Sequence, residues 1–176
     1  MKSPAPSRLA SAWLAVRSLL WAVLLPGVVA GYLPWRFFGL REARLDLGNP
    51  LHLVGLLAIV AGTVLLGACI LEFARHGRGT LAPVDAPRRL VVQGLYRYVR
   101  NPMYLSVGTI LVGELLVTRS RSLLVFAACW FLLVNLMVIG YEEPALRHRF
   151  GASYRRYAGT VGRWLPSFRA GRAGPL

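Results

Sequence analysis

Long apolar runs constrain this chain more than any other feature of its sequence. They cover approximately residues 18–35, 51–71, 102–117 and 122–141. A helix that crosses a bilayer needs about 20 apolar residues, and about 17 is the short end of the range. The second and fourth runs exceed this length and the third only just reaches it. With 56% hydrophobic residues in 176, the chain is expected to be all-α: a single polytopic membrane bundle of about four transmembrane helices.

Arginine is distributed unevenly between the regions that connect these runs. The chain has 21 basic residues and a formal net charge of +14. Sixteen of the 21 lie in the N-terminal region, in the loop between the second and third runs, or after the fourth run. The positive-inside rule therefore places both termini and the central loop in the cytoplasm. The preference for arginine over lysine, with abundant Ala, Gly and Leu, favours a bacterial inner (plasma) membrane.

The basic charge does not indicate a nucleic-acid-binding protein, because no soluble basic domain accompanies it. Contact with membrane lipids explains it more simply. The two cysteines lie inside apolar runs and the three histidines are scattered, so no metal site is expected.

Four parts of one domain, 1–176, follow from the positions of the runs. Residues 1–50 hold the N-terminal helix and a loop, and residues 51–101 hold the second helix and the cytoplasmic loop. Residues 102–166 form a helical hairpin and a C-terminal segment. Residues 167–176 are expected to be a disordered tail.

The ends of the hairpin helices are marked by prolines. Asn101 is a suitable N-cap and Pro102 a favoured first helical residue. At the other end, Pro144 is expected to push Glu143 out of helical geometry. A cytoplasmic amphipathic helix should follow, from Pro144 to about Tyr157. Its apolar stripe consists of Leu146, Phe150, Tyr154 and Tyr157, and it either lies on the membrane surface or packs on the loops with its basic face in solvent.

Two adjacent carboxylates, Glu142 and Glu143, end the fourth run and return to the membrane face where the third run begins. Only seven acidic residues exist in the chain. Negative charge is unfavourable at a helix C-terminus, so the pair requires compensation. Either arginines supply it in a structural network, with Arg97, Arg100 or Arg147, or a ligand with hydroxyls and positive charge does.

The order and spacing of these motifs resemble the isoprenylcysteine carboxyl methyltransferase family and the wider group that holds phospholipid methyltransferases. Three motifs between about Leu90 and Pro166 carry the resemblance: Val91-Val92-x-Gly94-x-Tyr96-x-x-Val99-Arg100-Asn101-Pro102-x-Tyr104, then Glu142-Glu143-x-x-Leu146-x-x-x-Phe150-Gly151-x-x-Tyr154-x-x-Tyr157, then Val161-x-Arg163-Trp164-x-Pro166. One departure is Asn101, which stands where the usual motif has histidine and cannot titrate.

The resemblance implies S-adenosylmethionine as the cofactor and a lipid-borne or hydrophobic acceptor, a carboxylate or an amine. It implies a cofactor site made by eight residues: Gly94, Tyr96, Arg100, Asn101, Pro102, Tyr104, Glu142 and Glu143. Catalytic roles would fall to Arg100, Asn101, Tyr104 and Glu143. The acceptor would contact Arg97, Arg163, Phe150 and Tyr154.

Two other functions remain open at this point. The C-terminal halves of membrane sterol reductases have a similar layout and bind a nicotinamide cofactor, although the glutamate pair would repel its phosphates. A non-catalytic bundle that binds a lipid or a protein is the other. Within the third run, Glu114 is expected to pair with Arg119 or Arg121. In the fourth run, Asn135 is expected to hold helices together.

Overall fold

A computed structural model describes Leu20, residues 24–76 and residues 90–167 of the chain. Residues 24–27 are α-helical, and five further α-helices follow: α1, Leu33–Phe37; α2, Pro50–His76; α3, Pro102–Thr118; α4, Arg121–Met137; and α5, Glu143–Thr160. A π-helical turn precedes α1 at Val28–Tyr32, another joins α4 to α5 at Val138–Glu142, and a 3₁₀ turn spans Gly94–Arg97. The predicted disordered tail falls outside the described residues except for Ser167.

Among the described residues, two helices are long and apolar enough to cross a membrane: Pro50–Glu72 within α2, and the continuous helix that begins with α4. The all-α prediction agrees with the described residues. The third predicted span, α3, has 17 residues and is a shorter apolar helix. The first predicted span lies partly outside the described residues. The four-span bundle therefore stays a prediction.

Helices α2 and α3 pack closely along a seam of glycines. Gly55 lies against the backbone carbonyl of Gly113, and Gly62 against Ser106 and Ile110. A Cβ atom at Gly62 would stand 2.7 Å from Ile110 Cγ1 and 2.8 Å from the carbonyl oxygen of Ser106. Small residues allow helix backbones to approach, which supplies the van der Waals contact that holds membrane helices together.

Both π-helical turns end two residues before a proline. In each, the residue just before the proline donates its backbone N–H five residues back: Leu33 to Val28, and Glu143 to Val138. Proline clashes with the carbonyl group four residues earlier in an α-helix. A wider turn relieves this clash without ending the helix. The prediction that Pro144 expels Glu143 from helical geometry is therefore wrong, since Glu143 has φ −64° and ψ −43°.

Helix α5 packs its apolar stripe against the protein. Tyr154 and Tyr157 are buried with Val161, and Leu90, Val92, Leu146 and Phe150 surround them. The stripe therefore lies on the loop that precedes α3. Arg149, Arg155 and Arg156 stand exposed on the opposite side. Gly151, with φ +51°, interrupts the helix midway in a conformation that favours glycine.

Candidate functional site

The segment of residues 161–167, here called the C-terminal strap, runs parallel to the loop that leads into α3. Val99 and Gly162 form a parallel bridge. Arg100 donates its backbone N–H to the carbonyl of Gly162 at 2.9 Å, and Ser167 donates its own to the carbonyl of Tyr98 at 2.7 Å. This pairing brings the third motif of the sequence beside the first.

Glu143 is the centre of an arginine cluster. Its side chain accepts two hydrogen bonds from Arg163, at 2.6 Å from Nε and 2.9 Å from Nη2. Arg100 and Arg147 each place a guanidinium nitrogen 3.1 Å from it. Glu143 is 3% exposed, so these partners compensate a buried carboxylate. The hydrogen bond from Arg163 to Glu143 also raises the pKa of Arg163.

Glu142, the neighbouring carboxylate, faces a different set of side chains. Tyr104 donates its hydroxyl to Glu142 Oε1 at 2.5 Å. Burial is the largest cause that raises the pKa of Tyr96, followed by the charges of Cys69, Tyr157 and Glu142. The Tyr96 phenol therefore stays protonated and can donate a hydrogen bond. Tyr157 in turn donates to the carbonyl of Tyr96 at 2.6 Å.

Arg100 is one of the three arginine partners of Glu143. Its side chain is 12% exposed, and its Nη1 is 3.4 Å from the Tyr154 hydroxyl. Its Nε is buried without a hydrogen-bond partner among the described residues. A buried donor of this kind is costly unless something accepts from it. The position is therefore suited to an acceptor atom of a bound molecule.

Asn101 occupies the N-cap position of α3, as predicted, and Pro102 begins the helix. The Asn101 side chain does not cap the helix in the described chain. It donates instead to the carbonyl of Arg163 at 3.2 Å. Asn101 thus ties the start of α3 to the C-terminal strap.

Trp164 joins the site although no role was predicted for it. Its indole Nε1 donates to Asn135 Oδ1 of α4 at 3.1 Å. Its ring lies 6.5 Å from that of Tyr104 and 5.4 Å from that of Phe131, centre to centre. The prediction that Asn135 holds helices together is wrong about the partner, because its described hydrogen bond ties α4 to the C-terminal strap. Trp164 stands between Arg163 and Pro166 in the third motif, and this motif was the sequence signal that could have indicated a role for Trp164.

The remaining predicted site residues lie at the edges. Gly94 has φ +56°, and a Cβ atom there would stand 2.5 Å from Glu72 Cδ. Arg97 stacks over the Tyr98 ring at 5.3 Å. It lines a shallow groove of about 380 Å³ with Glu72 and Gly94. Phe150 packs on Tyr154 in the α5 core and is half-buried.

Glu114 differs from its prediction. It is 3% exposed, and its Oε2 has no hydrogen-bond partner among the described residues. Neither Arg119 nor Arg121 forms an ion pair with it in that part of the chain. Both arginines are exposed at the turn between α3 and α4, so they extend into solvent while Glu114 faces the packed interior.

A bundle of apolar helices with a polar site where a helical hairpin opens defines the class of this molecule as a membrane-embedded helical protein. The sequence profile of the phospholipid methyltransferase family matches residues 50–153. The chain belongs to this family, whose description implies a membrane methyltransferase. No curated protein and no solved structure shows a significant match to the chain.

Proposed function

We propose that this protein transfers a methyl group from S-adenosylmethionine to a carboxylate or amine on a lipid-borne or hydrophobic acceptor. The observation that carries the proposal is the pair of adjacent carboxylates at the open end of the hairpin. Glu142 faces tyrosines and Glu143 faces arginines. Both lie within the segment that the family profile matches.

The polar atoms at this position fit a sulfonium amino acid joined to a nucleoside. Arg100 Nε is a buried donor that suits the carboxylate of the amino-acid part. Glu142 suits ribose hydroxyls or the positive charge of the cofactor. Tyr96 and Tyr104 offer hydroxyls and ring faces beside it. At Gly94 and Pro102 the backbone would lie close to the cofactor and complete the site.

Glu143 is proposed as a positioning residue within this site. Its carboxylate already receives four hydrogen bonds and ion pairs from three arginines. This arrangement orients Arg100 toward the site and holds Arg163 against the strap. Asn101 supports the same geometry through its bond to the backbone of Arg163.

When bound, S-adenosylmethionine would supply an electrophilic methyl group: the acceptor oxygen or nitrogen would bond to the methyl carbon as the carbon–sulfur bond breaks, and the sulfur would leave as a neutral thioether. Such a displacement depends on alignment and on exclusion of water. Buried Tyr154 and Tyr157 beneath the site, and Trp164 beside Tyr104, provide a dry wall.

We propose that the acceptor reaches the site sideways from the bilayer. The site lies where the apolar helices end, so a headgroup can enter while its tail stays in lipid. Arg97 is exposed and suits an acceptor phosphate or carboxylate. Arg163, Phe150 and Tyr154 form the nearby wall of α5 and the strap.

The test begins with calorimetric titration of the purified full chain with S-adenosylmethionine, and with a nicotinamide dinucleotide as the competing ligand. Transfer of a labelled methyl group is then measured to acceptors with one headgroup and tails of increasing length. The proposal expects binding of S-adenosylmethionine alone and a rate that rises with tail length, because each buried methylene contributes about 0.8 kcal/mol. Binding of the dinucleotide alone would indicate a reductase. Equal rates for a tail-less acceptor would exclude entry from the bilayer.

A further inference from the structure

The outer surface of the joint between α4 and α5 carries a groove that the candidate methyl-transfer site does not use. Its volume is about 750 Å³ and its lining consists of Gly140, Tyr141, Pro144, Ala145, His148 and Arg149. Glu142 faces Tyr104 and Glu143 faces the arginine cluster. Both carboxylates are therefore turned away from this groove.

The lining of the groove combines apolar and basic residues. Gly140, Pro144 and Ala145 contribute apolar surface, and His148 and Arg149 contribute nitrogen atoms. Glu143 is the single carboxylate of α5 and is buried. The exposed face of α5 near the groove therefore presents positive charge without compensating acid.

The groove lies where the apolar surface of α4 ends. Helix α4 is apolar up to its end, and Leu133 and Leu136 are exposed on it, at 66% and 64%. These two leucines stand two turns and one turn before Gly140. The first exposed basic residues after the apolar helix are Arg147, His148 and Arg149. A molecule with an apolar tail along α4 would thus place its headgroup at Arg149.

We propose that this groove binds an anionic phospholipid, with the lipid phosphate on Arg149 and His148 and an acyl chain along the exposed face of α4. Charge complementarity favours an anionic headgroup over a zwitterionic one, since positive charge at a membrane surface attracts anionic lipid. The planar guanidinium of Arg149 can donate two hydrogen bonds to one phosphate group. This lipid site is separate from the proposed methyl-transfer site and does not depend on it.

The test measures the melting temperature of the purified full chain in neutral detergent as phosphatidylglycerol is added. Phosphatidylcholine with the same acyl chains and tail-less glycerol phosphate form the other two arms. A ligand that binds the folded state raises the melting temperature with its concentration. We expect phosphatidylglycerol to be the most effective of the three. Equal effects of glycerol phosphate would overturn the assignment to a lipid.

Two matched variants distinguish the groove from diffuse charge attraction. Arg149→Gln and Arg155→Gln each remove one exposed guanidinium from α5, but only Arg149 lines the groove. We expect Arg149→Gln to raise the half-saturating concentration of phosphatidylglycerol at least about tenfold. Arg155→Gln should change it less than about twofold. Equal losses in both variants, or no loss in Arg149→Gln or in His148→Gln/Arg149→Gln, would overturn the proposal. Failure here would leave methyl transfer untouched, because that activity is read separately.

Discussion

Tyr104 donates its hydroxyl to Glu142 at 2.5 Å, although 38 residues separate them in the chain. The bond joins the first turn of α3 to the π-helical turn before α5. It joins the two helix ends at the open end of the hairpin. Because Glu143 is held by three arginines, Glu142 is the member of the pair that we propose contacts the ligand.

Removal of this contact should weaken the proposed cofactor site without unfolding the protein. We expect Glu142→Gln and Tyr104→Phe each to weaken S-adenosylmethionine binding at least tenfold, because a hydrogen bond to a charged group contributes about 1.5–3 kcal/mol. Calorimetric titration checks this. Glu114→Gln is the matched control in the same hairpin and should leave the affinity unchanged. Wild-type affinity in both site variants would reject the role of this pair.

Loss of the other carboxylate should act mainly on stability. Glu143→Ala leaves three guanidinium groups around a buried position, so the free energy of unfolding should fall by about 3–5 kcal/mol. Denaturant unfolding in mixed micelles measures it. Arg147→Gln removes the partner whose side chain is 54% exposed and should cost less than about 1 kcal/mol. Similar losses in the two variants would contradict a central role for Glu143.

The bond between Trp164 and Asn135 should show energetic coupling. A double-mutant cycle of Trp164→Phe and Asn135→Leu isolates it, because each single change leaves the other polar group without its partner. We expect a coupling free energy of about 1 kcal/mol, from a hydrogen bond at the membrane boundary. Additive effects in thermal unfolding would show that the strap is held by its backbone pairing and by Arg163 alone.

The glycine seam between α2 and α3 predicts opposite results for two glycines of one helix. Gly62→Ala would place its Cβ 2.7 Å from Ile110 Cγ1 and 2.8 Å from a backbone oxygen, so it should destabilise the protein by about 1–3 kcal/mol. Gly67→Ala meets nothing within 4 Å and should be neutral or stabilising, since glycine in a helix costs about 0.5–1 kcal/mol relative to alanine. The melting temperatures of the two variants, each compared with that of the unmodified protein, test both expectations.

The arginine distribution predicts the orientation in the membrane. A reporter fused after Leu176 should be active only if it is of the cytoplasmic type. A second reporter in the turn at Arg119 should give the opposite result. A periplasmic signal after Leu176 would place both open ends of the hairpin on the periplasmic face of the membrane. The proposed site could then not receive a cofactor from the cytoplasm.

The sequence by itself determined the two membrane-length helices of the described residues, since apolar runs of that length have few alternatives to the α-helix in a bilayer. It also determined where α3 begins, because Asn101 and Pro102 act through local geometry. The short turn at Arg119 then made the hairpin ends neighbours. Two local predictions were wrong in part: the Asn101 side chain makes no cap hydrogen bond, and at Pro144 a π-helical turn absorbed the clash that was expected to end the helix.

Only the tertiary structure decided what each carboxylate faces. Glu142 and Glu143 are consecutive, and one residue of a helix turns the next side chain by about 100°. Their partners come from α3 and from the C-terminal strap, far away in the chain. Glu142 accepts a hydrogen bond from Tyr104, and Glu143 accepts one from the Nε of Arg163. The same holds for Trp164, because its bond to Asn135 exists only when the strap folds back over α4. The periodicity of a sequence predicts which residues share a face of a helix. The side chains that contact this face depend on how distant segments of the chain pack.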